Sequence, residues 1–132
     1  MAIEHSLRNL YADLKSNIDL PRHLAKRLSA PLLMYPTKRW AEADKKVLVI
    51  GQDTFGWGAN STRGGVFNNF LDFQAHEDAI DALLRNYEQF NFAFGTRHYG
   101  SPFWSAYRQI RRIVDKGDVD GIKTSVLWTN LF

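Results

Sequence analysis

Apolar residues recur at three- and four-residue steps from Ile3 through Leu7, Leu10, Tyr11 and Leu14 to Ile18, which predicts an amphipathic helix with one buried stripe. Asp19-Leu20-Pro21 interrupts it, and Pro21 is placed to open a second, short helix through Leu28. Pro31 and Pro36 then enforce an extended passage over 30–37. The pattern changes at Val47. An unbroken apolar run to Ile50 passes into Gly51 and the polar pair Gln52 and Asp53, which reads as a strand buried on both faces. Residues 54–65, rich in Gly, Asn, Ser and Thr, form a long loop of the kind that carries function. Residues 70–90 read as helical, with Ile80, Leu83, Leu84 and Tyr87 on one face and Glu77, Asp78 and Asp81 towards the start, where the helix dipole favours them. Ser101-Pro102 fits an N-cap followed by a first helical residue, opening a stripe of Phe103, Trp104, Tyr107, Ile110, Ile113 and Val114 that Lys116-Gly117-Asp118 ends. TSVLWTNLF, over 124–132, is a second strand.

Far more than a hairpin loop separates the two strands, so a right-handed crossover placing them parallel in one sheet is the favoured topology. The whole chain, 1–132, is expected to be a single domain, with an N-terminal helical segment over 1–36 and a sheet-containing part over 45–132. Two parallel strands make a poor sheet, and the sequence stops at an apolar strand. The expectation is that further strands belong to a C-terminal part beyond Phe132. The alternative is that another chain, such as a second copy, pairs with the C-terminal strand.

Composition narrows the classes. A hydrophobic fraction of 45% with 14% aromatic residues supplies a packed core, and 23% charged residues argues against disorder. The formal charge of +3 is compatible with a polyanionic partner without requiring one. Lys38, Arg39, Lys45 and Lys46 read as a solvated approach to the first strand; Arg108, Arg111 and Arg112 read as a solvated helix face, with phosphate contact as the alternative. With no cysteine, disulfides and thiolate metal sites are excluded, and the four scattered histidines show no metal-binding spacing. No metal or other cofactor is expected. No secretory leader is visible, and no apolar run approaches the roughly 20 residues that span a bilayer. The expected setting is the cytoplasm, without a membrane partner. Dinucleotide and P-loop motifs are absent.

In an open α/β sheet, ligands sit outside the carboxyl ends of the strands. Gln52 and Asp53 follow the first strand and Asn130 ends the second, so parallel pairing would bring them to one rim. A carboxylate there can orient or deprotonate water, or stabilise a cationic intermediate. The amide of Asn130 carries both a donor and an acceptor, which suits the edge of a base. Phe55, Trp57, Phe67 and Phe70 supply flat apolar surface for stacking. Plainer readings stand beside these: Asp53 as a cap, Asn130 as a turn residue, Phe67 and Phe70 as core.

Gly51-Gln52-Asp53-Thr54-Phe55-Gly56 resembles the water-activating motif of the uracil-DNA glycosylase superfamily, whose commonest form reads GQDPYH. Gly65-Val66-Phe67 resembles the segment that carries that family's uracil-stacking phenylalanine, and VLWTN, ending at Asn130, resembles its base-reading strand. The resemblance implies an α/β fold, a three-layer αβα sandwich around a parallel sheet, that is incomplete in this chain. It implies catalytic roles for Asp53 and Gln52, with Asp53 positioning water. Phe55 would exclude the thymine methyl, Phe67 would stack on uracil, and Asn130 would read its edge. The implied activity is base flipping and hydrolysis of the N-glycosidic bond, with DNA as partner. Thr54 and Gly56 replace the proline and histidine of the motif, the separation from Asp53 to Asn130 is longer than is common, and the family's closing histidine motif has no counterpart. Two other functions fit the same residues: a non-catalytic member of the fold that binds nucleic acid or protein, and an unrelated α/β enzyme acting on a small nucleotide-like ligand.

Overall fold

The computed structural model describes residues 2–51, 67–92, 101–116 and 125–130. It is mixed α/β, mostly helical, in the order α1 (Ala2–Asn17), α2 (Arg22–Ala25), α3 (Lys38–Glu42), β1 (Val47–Gly51), α4 (Phe70–Ala75), α5 (Ala79–Phe92), α6 (Pro102–Val114) and β2 (Val126–Asn130). β1 and β2 pair in parallel, with Val47 opposite Val126 and Gly51 opposite Asn130. The expected parallel arrangement is therefore present.

Two apolar clusters hold these elements. The first gathers Tyr11, Ala25, Leu33, Phe67, Phe70, Phe73, Leu83 and Leu84, with Leu7 and Leu14 packed against it. Leu10 is exposed although it belongs to the predicted stripe, because it lies about 100° around α1 from Tyr11. Ile18 falls beyond the end of α1 and is also exposed. The Tyr11 hydroxyl donates to the Met34 carbonyl at 2.9 Å, fastening α1 to the extended passage. Pro21 stands at the N-cap of α2 and not within it, and the helix closes at Ala25. The Leu28 carbonyl then accepts the Phe70 N–H at 2.8 Å.

The helix expected over 70–90 is broken in two. Asn69 caps α4 by accepting the Asp72 N–H at 2.9 Å, and His76 leaves the helical conformation at its other end. His76 then opens the next helix, its Nδ1 accepting the Asp78 N–H at 3.2 Å. The basic approach to β1 is likewise not a plain solvated segment: Thr37 Oγ1 accepts the Trp40 N–H at 3.1 Å and caps α3. Trp40 Nε1 donates to the Val47 carbonyl at 3.2 Å, so this short helix steers the chain into β1.

The second cluster lies on one face of the sheet. Val47, Val49, Val126 and Trp128 meet Tyr87 and Phe90 of α5 and Phe103, Trp104, Tyr107, Ile110 and Val114 of α6. Trp128 stacks on Tyr87 at 4.8 Å between centroids and meets Trp104 edge-on at 4.9 Å. The prediction that β1 is buried on both faces is corrected: Leu48 is 42% and Ile50 53% exposed, although Leu127, opposite Leu48 on the same face, is buried. Among the described residues no helix is long and apolar enough to cross a membrane.

Candidate functional site at the strand rim

α6 runs antiparallel to the strands, and contacts at its two ends fix this. Its start carries Phe103 to the carboxyl end of β1, and its end brings Asp115 to the beginning of β2. Ser101 caps the helix as predicted, accepting the Trp104 N–H at 3.4 Å, with Pro102 in the first turn.

At the rim, register sets Gly51 beside Asn130. The Asn130 amide lies across Gly51: a β-carbon built there would clash with Asn130 Oδ1 and stand 3.3 Å from Cγ and 3.0 Å from Phe103 Cε2. Only glycine leaves room for an amide and an aromatic ring to converge on that point. Both Asn130 and Phe103 are half-buried, so each retains accessible surface. Trp104 backs the Phe103 ring, edge-on at 4.8 Å, and Phe90 meets Trp104 at 5.2 Å. An amide and an aromatic ring that converge on a glycine form a surface suited to a flat heterocycle with hydrogen-bonding groups on its rim.

Of the residues singled out in the sequence, Gln52, Asp53 and Phe55 lie outside the described residues. Gly51, their immediate neighbour, sits at the rim beside Asn130. Phe67 belongs to the other cluster and is 1% exposed, with its ring set edge-on to Phe73 at 6.3 Å and to His76 at 5.4 Å. Sequence reasoning passed over Phe103 as a core residue of the α6 stripe. Its position directly after Ser101-Pro102 was the available signal, since the first turn of a crossover helix lies at the strand rim.

The opposite end of α6 is closed by polar contacts. Asp115 Oδ1 accepts the Ser125 N–H at 3.0 Å and the Ser125 hydroxyl, while Oδ2 lies 3.8 Å from Arg111 Nε. Arg111 is therefore not part of a solvated basic face. It lies four residues after Tyr107 and falls within the buried stripe, whereas Ile113, assigned to that stripe, points away and is 79% exposed. Among the described residues no cluster of His, Cys, Asp or Glu could hold a metal ion.

The outer edge of β2 is also occupied. The Ser125 carbonyl accepts the Val47 N–H at 3.2 Å, so alternation turns the main chain of Val126 and Trp128 away from β1. Tyr107 donates to the Val126 carbonyl at 3.3 Å. Tyr87 donates to the Trp128 carbonyl at 2.9 Å and accepts the Trp128 N–H at 3.3 Å. Burial, reinforced by the neighbouring Tyr107, pushes the Tyr87 hydroxyl well above its ordinary range and keeps it a donor.

Compared with known proteins, the chain matches no family model, no curated protein and no solved structure.

Proposed function

We propose that this chain is a uracil-DNA glycosylase-like protein that accepts a base flipped out of DNA and hydrolyses its N-glycosidic bond. The observation that carries the reading is the register of Gly51 against Asn130, with the amide folded over the glycine that precedes Gln52 and Asp53. Asn130 offers one donor and one acceptor to the edge of a pyrimidine, the pattern a lactam such as uracil returns. On this reading Asp53, with Gln52 beside it, holds a water against the sugar. The bond between the base nitrogen and the sugar carbon breaks with its electron pair leaving on the base, and the water oxygen bonds to the carbon. The carboxylate stabilises the positive charge that develops on the sugar and takes up the proton of the water. Phe55 would exclude the thymine methyl. The fold that belongs to this reading is a three-layer αβα sandwich, with a second helical layer over Leu48 and Ile50.

Release of free uracil from uracil-containing DNA tests the proposal. The intact chain is expected to release it, and Asp53→Asn to lose most of that rate. Equal release by both proteins, or none by the intact chain, removes the catalytic claim. DNA binding that weakens with salt in the absence of turnover would instead identify a non-catalytic binder.

A further inference from the structure

The resemblance assigns base stacking to Phe67, yet that ring is 1% exposed in a cluster other than the one at the rim. Phe103 is the aromatic ring brought against Gly51 and the Asn130 amide. We propose that Phe103, on the first turn of α6 and backed by Trp104, is the stacking wall of the site, and that the ligand class is a flat heterocycle with a donor and an acceptor on one edge. This rests on the functional reading above and deepens it.

The geometry is specific. Phe103 Cε2 and Asn130 Cγ both lie within 3.3 Å of the position a Gly51 β-carbon would take, so the ring and the amide meet over the same glycine. On the proposal, a planar base whose edge meets the amide stacks on the accessible part of this half-buried ring. Edge-on packing of Trp104 against Phe103 at 83° holds the ring in place without covering it, and Phe90 supports Trp104 in turn. Pro102 and the Ser101 cap fix the backbone that carries the ring. A side chain on an ordered helix turn, braced from behind, loses little freedom when it stacks.

The test is the affinity ratio of the protein for two single-stranded oligonucleotides that differ by one uracil, read by fluorescence anisotropy. Stacking on an aromatic ring contributes about 5- to 150-fold in affinity per base. The intact chain is expected to prefer the uracil strand, Phe103→Leu to lose that preference by a factor in this range, and Phe103→Tyr to retain it. Retention by Phe103→Tyr separates stacking from a general loss of folding. An unchanged preference in Phe103→Leu overturns the assignment of the ring while leaving the uracil reading intact. If that preference falls only in Phe67→Leu, the wall belongs to Phe67. No preference in the intact chain overturns both the wall and the function it serves.

Discussion

β1 and β2 open on the same two residues, in VLVIG and VLWTN, and pair residue for residue, yet the molecule treats them differently. β2 is buried through Trp128, and the Val126 carbonyl and the carbonyl and N–H of Trp128, which face away from β1, are met by tyrosine hydroxyls from α6 and α5. β1 is covered on one face and presents Leu48 and Ile50 on the other. The difference does not lie in hydrophobicity. At the edge of β2 two tyrosines, Tyr87 and Tyr107, supply hydroxyls that satisfy backbone groups a third strand would otherwise pair. A strand joining that edge would have to displace both hydroxyls. The uncovered face of β1 carries no such closure.

The largest expected effect comes from unfastening the start of β2. Asp115→Ala removes the acceptor of two Ser125 bonds and leaves the Arg111 charge buried, with Nε and Nη2 lacking hydrogen-bond partners among the described residues. Breaking a buried pair from one side costs about 3–5 kcal/mol, which urea unfolding would read as a lower midpoint with unchanged slope. A loss below about 1 kcal/mol would mean that β2 is not held there.

Tyr87→Phe comes next. The ring stays on Trp128, but the carbonyl and the N–H of Trp128 both lose the Tyr87 hydroxyl. Leaving such groups unsatisfied costs about 1–3 kcal/mol. Tyr107→Phe should cost less, since it removes one longer bond, to the Val126 carbonyl. If both variants are as stable as the parent, the edge is not closed by these hydroxyls.

These contrasts mark the limit of what the sequence carries. Apolar runs announced both strands, and the distance between them announced parallel pairing, because period and length are local properties. The same runs could not show that one face of β1 stays uncovered, since burial depends on which helices return to the sheet. Ser101-Pro102 was legible because a cap is read from adjacent residues. The break at His76 was not, because Glu77 and Asp78, which lie between α4 and α5, read equally well as acidic residues near the start of one continuous helix. Arg111 was misassigned by its charge when its spacing from Trp104 and Tyr107 already placed it inward. At the site, Gly51 and Asn130 were legible as strand ends. Their contact with Phe103 depends on how α6 lies against the sheet, which no local pattern encodes.

A smaller effect is read by raising pH. The buried Tyr87 hydroxyl holds its proton well above the ordinary value, and burial pushes Tyr11 up to about 12 from 10.0. The folded state therefore binds these protons more tightly than the unfolded chain does. The stability they contribute is complete below pH 10, the unfolded value, and for Tyr11 is withdrawn between there and about 12. Urea midpoints measured from about pH 8 to about pH 11.5 should be level at first and fall above about 10. In Tyr11→Phe the fall should be shallower. A midpoint as high at the alkaline end as at neutral pH would show that neither hydroxyl is shielded.

The smallest effect should come from the open face of β1, and it sharpens the comparison most. Leu48 and Ile50 are already 42% and 53% exposed, so replacing both with threonine removes little buried apolar area and keeps strand preference through β-branching. Substitutions on such surfaces usually change stability by less than about 0.5 kcal/mol, and that is the expected result for the isolated chain. Val49→Thr, one residue away in the same strand, faces the cluster around Trp128 and should cost distinctly more, because it sets a hydroxyl among buried rings. Equal losses at Leu48, Ile50 and Val49 would mean that β1 is covered on both faces in solution, as the run VLVI by itself suggested. A loss confined to Val49 would establish that the sheet has one closed strand and one open one, with the open face free to take a further layer.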